Sequence, residues 1–124
     1  MRKDSPLAAL DAVSPVDLRD VPVICSSRAL KGGQLFSWLQ TDPEKLNLVA
    51  SYNLIFNASI LVEEGLGYAF SLENLVDVRR SGHLCFRPLR PALESPVDMV
   101  WKKYQIFSKP SELFLESVRS RLAE

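Results

Sequence analysis

Residues 21–26, VPVICS, form a short unbroken apolar run, the mark of a strand covered on both faces. Pro22 is tolerable there because it lies close to the strand's beginning. Residues 46–51 alternate instead, with Leu46, Leu48 and Ala50 against Asn47, Val49 and Ser51, and predict a second strand. Between the two, QLFSWLQ sets Leu35, Phe36 and Leu39 at helical spacing with Trp38 on the flank, and Thr41-Asp42-Pro43 ends that helix. A second helix is predicted over residues 53–64. Asn53 is its N-cap, Leu54, Ile55, Ala58, Leu61 and Val62 its apolar stripe, and Gly65 the residue just past its end. Residues 67–72 predict a third strand.

The flanks are less regular. In VSPVDLRD, Ser14 as N-cap, Pro15 at the first helical position and Asp17 in the first turn predict one or two helical turns. Residues 73–78 predict a short helix stopped by Ser81-Gly82, and residues 84–89 a fourth strand. Pro88, Pro91 and Pro96 force the next stretch to be extended and irregular. Residues 97–104 alternate like a strand, with Val97, Met99 and Trp101 opposite Asp98, Val100 and Lys102. Ser108 and Pro110 open a last helix that buries Phe114, Leu115, Val118 and Leu122. The order strand–helix–strand–helix–strand predicts the α/β class: an open, mostly parallel sheet with flanking helices and right-handed crossovers.

A chain of 124 residues is enough for one domain. Fifteen basic and fifteen acidic residues give a formal net charge of zero, without long runs of one sign. A DNA-gripping surface needs clustered Lys and Arg, so this chain is expected to make no nucleic-acid contact. No apolar run reaches the ~18 residues of a membrane span, and the N-terminus lacks the apolar core of a secretory signal. Cys25 and Cys85 sit in apolar runs and read as free thiols of a cytoplasmic protein. With His83 they lie too far apart in sequence for a metal site, and no cofactor is expected.

Three predicted strands end in polar residues: Ser26 and Ser27 after the first, Tyr52 and Asn53 after the second, Ser71 after the third. In open α/β sheets ligands bind outside the carboxyl ends of the strands. Hydroxyls and an amide converging near helix N-termini suit a carboxylate, because free N–H groups and the helix dipole both favour an anion. Ser and Asn also populate strand ends and caps for purely structural reasons. Other chemistry is poorly served. His83 has no nucleophile at a recognisable motif, and Glu63 and Glu64, being adjacent on a helix, point in different directions. Gly65-Leu66-Gly67 follows a helix rather than preceding one, unlike a phosphate loop. Arg79-Arg80 and Lys102-Lys103 read as solvated faces, and Trp38 and Trp101 as core or interface. No catalytic residue is proposed, and the chain reads as a binding module rather than an enzyme.

The ordered segments RKDSPLA, DLRDVPVICSSR, LVEEGLGYAFSL, the stretch 84–93 and MVWKKYQIFSKPSELFLESV together resemble the effector-binding domain of LysR-type transcriptional regulators, over nearly the whole chain. Gly65 and Gly67 match that family's glycines, whereas Glu73 stands where it often has proline. The resemblance implies a periplasmic-binding-protein-like lobe, a dimeric or tetrameric regulator, and a small-molecule effector, possibly a carboxylate, held between two lobes. By position, the second-lobe effector contacts fall at Ser26, Ser27, Tyr52, Asn53 and Ser71. It also implies a division into a crossover segment at 1–12, an effector-binding lobe at 13–104, and a return helix at 105–124. That helix would pack on a first lobe, and a winged helix-turn-helix would bind DNA; neither is expected within these residues, so the chain is expected to be a piece of a longer regulator. The last helix is then expected to self-associate or to exchange between chains. A lobe of a transport-type solute-binding protein, or a free-standing small-molecule-binding module, is the competing reading.

Overall fold

The computed structural model describes residues 1–31 and 33–122. Strand β1 (Val23–Ser26) is the centre of a three-stranded parallel sheet, between β2 (Leu48–Tyr52) and β3 (Tyr68–Ala69). Helix α1 (Gln34–Leu39) links β1 to β2, and α2 (Ile55–Glu63) links β2 to β3. Val23, Ile24 and Cys25 are completely buried. Their alternation divides the core. Val23 and Cys25 face Phe36, Trp38 and Leu39 of α1 together with Val13, Leu18 and Leu46, whereas Ile24 faces Ile55, Ala58 and Val62 of α2 together with Leu84. The α/β class, open parallel sheet and flanking helices read from the sequence are thus present.

Local chemistry explains the element ends. The Ser14 backbone N–H and hydroxyl both donate to the Asp17 carboxylate, at 2.8 and 2.6 Å, and start a 3-10 turn over Pro15–Leu18. Helix α2 closes through two bonds, Gly65 N–H to the Val62 carbonyl and Leu66 N–H to the Leu61 carbonyl. That arrangement needs Gly65 at its observed φ of 82°. Gly67 serves a different need. A Cβ there would lie 2.5 Å from the Pro22 carbonyl oxygen, the same oxygen that accepts the Tyr68 N–H at 2.8 Å. The first pairing of β3 with β1 therefore requires a residue without a side chain.

Several sequence expectations are corrected. Helix α2 is capped by Leu54, not Asn53, and Leu54 is exposed rather than part of the buried stripe. Trp38, by contrast, is in the core as expected, its indole N–H donating to the Pro91 carbonyl at 2.6 Å. Strand β3 has two residues where six were expected, because the Phe70 carbonyl accepts the Tyr52 phenol at 2.6 Å instead of extending the ladder. The helix expected at 73–78 is displaced: Asn74 at φ 61° breaks the run, and Asp77 caps a short α3 (Val78–Ser81). Residues 84–89 form no sheet strand. They pair singly with two different segments, Leu84 with Arg2 and Leu89 with Val13.

Residues 97–104 are no strand either. A turn from Lys102 to Gln105, with Tyr104 at φ 62°, interrupts them, and alternation without a hydrogen-bonded neighbour cannot hold a strand. The last helix, α4 (Lys109–Leu122), buries only Leu115; Phe114 and Leu122 are exposed. It leans on its own approach segment, with Trp101 edge-on to Phe107 at 6.3 Å and Arg119 over the Trp101 ring at 5.8 Å.

Gly67→Ala should destabilise the domain by about 1–3 kcal/mol through overpacking against the Pro22 backbone. A urea midpoint unchanged from the parent would contradict that contact. Burial also pushes the Cys25 thiol up to about 11 from its ordinary 9.0. A raised folded-state pKa contributes stability that is whole below the unfolded value and is lost as pH climbs through the folded one. The domain should therefore lose roughly 2–3 kcal/mol from this group between about pH 9 and pH 11. Urea unfolding of the parent and of Cys25→Ala across that window checks it; equal losses in both would clear Cys25 of the effect.

Candidate functional site

All three strands run parallel, so their carboxyl ends open on one edge of the sheet. A cavity of about 500 Å³ lies there. Ser26 from β1, Tyr52 and Asn53 from the end of β2, and Ser71 beyond β3 all line it. Ser27 does not. It is turned into the sheet, where its backbone N–H and its hydroxyl both donate to the Tyr52 carbonyl, at 2.8 and 3.3 Å.

The polar groups differ in how far they are already committed. The Ser26 hydroxyl oxygen accepts the Ala29 N–H at 3.1 Å and keeps its own proton to give. The Ser71 hydroxyl donates to the Leu72 carbonyl at 3.0 Å. Burial, with the Cys25 thiol nearby, pushes the Tyr52 phenol above its ordinary pKa. The phenol therefore stays protonated and keeps donating to Phe70. Because β1 lies between β2 and β3, this bond carries the Tyr52 ring across the end of the central strand. Asn53 is exposed and, among the described residues, its side-chain amide makes no hydrogen bond, so its two donors are free. Beside it, the first N–H groups of α2 have no acceptor within the helix.

Another part of the lining comes from a stretch whose composition predicts a strand. Phe86, Arg87 and Leu89, with Leu93 and Ser95 between Pro91 and Pro96, also line the cavity. Arg87 is half-buried and holds this wall to the N-terminal segment. Its Nε donates to the Leu10 carbonyl and one Nη to the Ala8 carbonyl, both at 2.6 Å, while the other Nη donates to Phe86 at 2.8 Å. Its signal in the sequence was weak: a single basic residue between apolar neighbours, ahead of a proline. Most of the remaining lining is apolar, including Leu35, Ile55, Phe70 and Leu75.

The arrangement suits reversible binding of a small molecule with one polar end. His83, the one histidine, is exposed and does not line the cavity. Among the described residues no cluster of His, Cys, Asp and Glu could hold a metal ion, and no helix is long and apolar enough to cross a membrane.

Comparison with known families returns one described as LysR substrate binding domain, matched over residues 1–123. No curated protein and no solved structure matches the chain significantly. Domains of the matched family bind the effectors of LysR-type regulators. Since the match runs nearly end to end and the sheet has the form the family requires, the chain belongs to the LysR substrate-binding domain family, with the α/β fold of periplasmic binding proteins.

Proposed function

We propose that this domain binds a small anionic effector at the carboxyl ends of its strands and passes the binding on to transcription. The observation that carries the reading is the convergence of Ser26, Tyr52, Asn53 and Ser71, from three separate strand ends, on one cavity of about 500 Å³. The free amide of Asn53 and the unpaired N–H groups at the start of α2 supply donors where a carboxylate would sit. Ser27 acts one step back, fixing the Tyr52 backbone. Binding requires no cofactor and no catalytic step.

In this reading the domain works in the cytoplasm within a homo-oligomeric regulator. Residues 1–12 carry the chain across, residues 13–104 hold the effector, and the helix in 105–124 packs on the regulator's other lobe. The exposed apolar face of α4 supports that last assignment. The last two residues of that segment lie outside the described residues. DNA contacts belong to another part of the regulator, in keeping with the zero net charge here. The effector acts by binding one arrangement of the oligomer more tightly than another.

The test is an amide-resolved NMR titration with acetate, benzoate and succinate, each set against its uncharged amide. The acids should perturb Ser26, Asn53 and Ser71, and the amides should do so much less. Asn53→Leu should weaken acid binding roughly tenfold or more, the scale of a lost hydrogen bond to a charged group. Ser26→Val should act in the same direction, and circular dichroism should show both variants folded. Unchanged acid affinity in both folded variants would sink the strand-end site.

A further inference from the structure

Arg87 carries the only charged side chain among the described residues that line the strand-end cavity, and no carboxylate shares the space. The other charge in the lining, the Met1 amine, has the same sign and donates to the Cys85 carbonyl. The neighbouring space between α2 and segment 71–79 differs, since both Glu73 and Arg79 line it. Arg87 is half-buried, yet among the described residues it has no ion-pair partner. Its hydrogen bonds run to the carbonyls of Ala8, Leu10 and Phe86. Three neutral carbonyls solvate part of its charge, and none cancels it.

Charge and geometry then limit what this residue can hold. Withdrawing a charge from water is costly unless an opposite charge or enough polar groups replace the solvent. A guanidinium has five N–H donors, and three of them are taken, one on Nε and one on each Nη. Each terminal nitrogen therefore keeps one N–H to give. Two such groups on one planar fork suit the oxygens of an anion. The bonds already made reach out of the cavity. Ala8 ends the 3-10 turn region Pro6–Ala9, and Leu10 follows directly after it. One guanidinium thus touches both the cavity and the N-terminal segment.

We propose that Arg87 is the electrostatic anchor of the cavity: an anionic oxygen of the effector accepts its free N–H groups, and the same guanidinium relays occupancy to the backbone of residues 8–10. The inference rests on the strand-end reading and adds the charged residue and the route out of the cavity. The donors at the strand ends are neutral amides and hydroxyls, so they select for an acceptor, whereas Arg87 selects for charge. The N-terminal segment responds because hydrogen bonds that share one group polarise one another. An anion on the fork draws on positive charge that the Ala8 and Leu10 carbonyls otherwise share only with Phe86.

The test is an NMR titration of the parent, Arg87→Lys and Arg87→Met with acetate and succinate, each set against its uncharged amide. Backbone amides are followed in all three proteins and the Arg87 Nε–H in the parent. In the parent the acids should move the Arg87 Nε–H at the same concentrations as Asn53. The Ala9 and Asp11 amides, which share peptide groups with the Ala8 and Leu10 carbonyls, should move with them. Arg87→Met should weaken acid binding roughly tenfold or more and leave the weaker response to the amides as it was. Arg87→Lys keeps the charge without the planar fork, so it should recover most of the acid affinity while the Ala9 and Asp11 shifts disappear. An Arg87 that only braces the wall would lower the responses to acids and amides together, and Lys would not restore them; that result overturns the anchor. Should neither variant fold, the parent decides, and an Nε–H unmoved at saturation overturns the proposal. Acids that bind at Ser26 and Asn53 with unchanged affinity in Arg87→Met overturn the anchor and leave the strand-end site standing. Acids that move Arg87 but none of Ser26, Asn53 and Ser71 overturn the strand-end reading instead. No response to any acid overturns both.

Discussion

Everything in this domain depends on one strand being covered on both faces and both edges. Val23, Ile24 and Cys25 have no solvent exposure. Such a strand must be apolar throughout, and its neighbours arrive through helical crossovers that run parallel to it. The site is a consequence. Parallel strands release their chains at the same edge, so polar residues far apart in sequence become neighbours there. Pro22 and Gly67 set the opposite end. Tyr68 can donate to the Pro22 carbonyl only because the residue before it has no side chain.

What the sequence made legible follows from that geometry. The unbroken apolar run of β1 and, Leu54 apart, the apolar stripe and glycine stop of α2 are local signals, and the structure keeps them. Four of the five candidate residues lie on one cavity because topology, which periodicity reveals, decides where strand ends go. The rest depended on choices made by distant groups. Phe70 looked like strand, but the Tyr52 phenol takes its carbonyl. Residues 84–89 have strand composition, yet their backbone bonds are shared between two N-terminal segments, which makes them a cavity wall. Asn53 has the chemistry of a cap, but the helix begins one residue later and leaves its amide free. Alternation and capping preference state what a segment can do; its partner decides what it does.

The C-terminal third shows the same rule from the other side. Val97 is 80% exposed and Ile106 92% exposed, and only Leu115 of α4 is buried. Side chains of that kind are costly to leave in water, at about 25 cal/mol for each Å² of apolar area. The Trp101–Phe107 contact and the Arg119 guanidinium over Trp101 hold this segment to itself and leave its outer face free. Such a face has the character of an interface waiting for a partner surface, which the proposed packing against the regulator's first lobe would supply.

The two walls of the cavity suggest how binding becomes a signal. One wall, sheet-backed and more rigid, is made of strand ends and the first turn of α2, its strands hydrogen-bonded in the sheet. The other is assembled from irregular segments outside the sheet, tied to the N-terminal segment by backbone bonds of Val13 to Pro88 and Arg90 and by the bonds of Arg87 to Ala8 and Leu10. A ligand held only by the rigid wall would bind equally well whatever the other wall did, and equal affinity shifts no equilibrium. A ligand that also grips the irregular wall favours the arrangement in which that wall is in reach. Each tenfold difference in affinity between arrangements moves their balance by about 1.4 kcal/mol. On the proposed reading, the regulatory content of an effector lies in whatever part of it reaches Phe86 and the irregular segments, rather than in the group held at the strand ends.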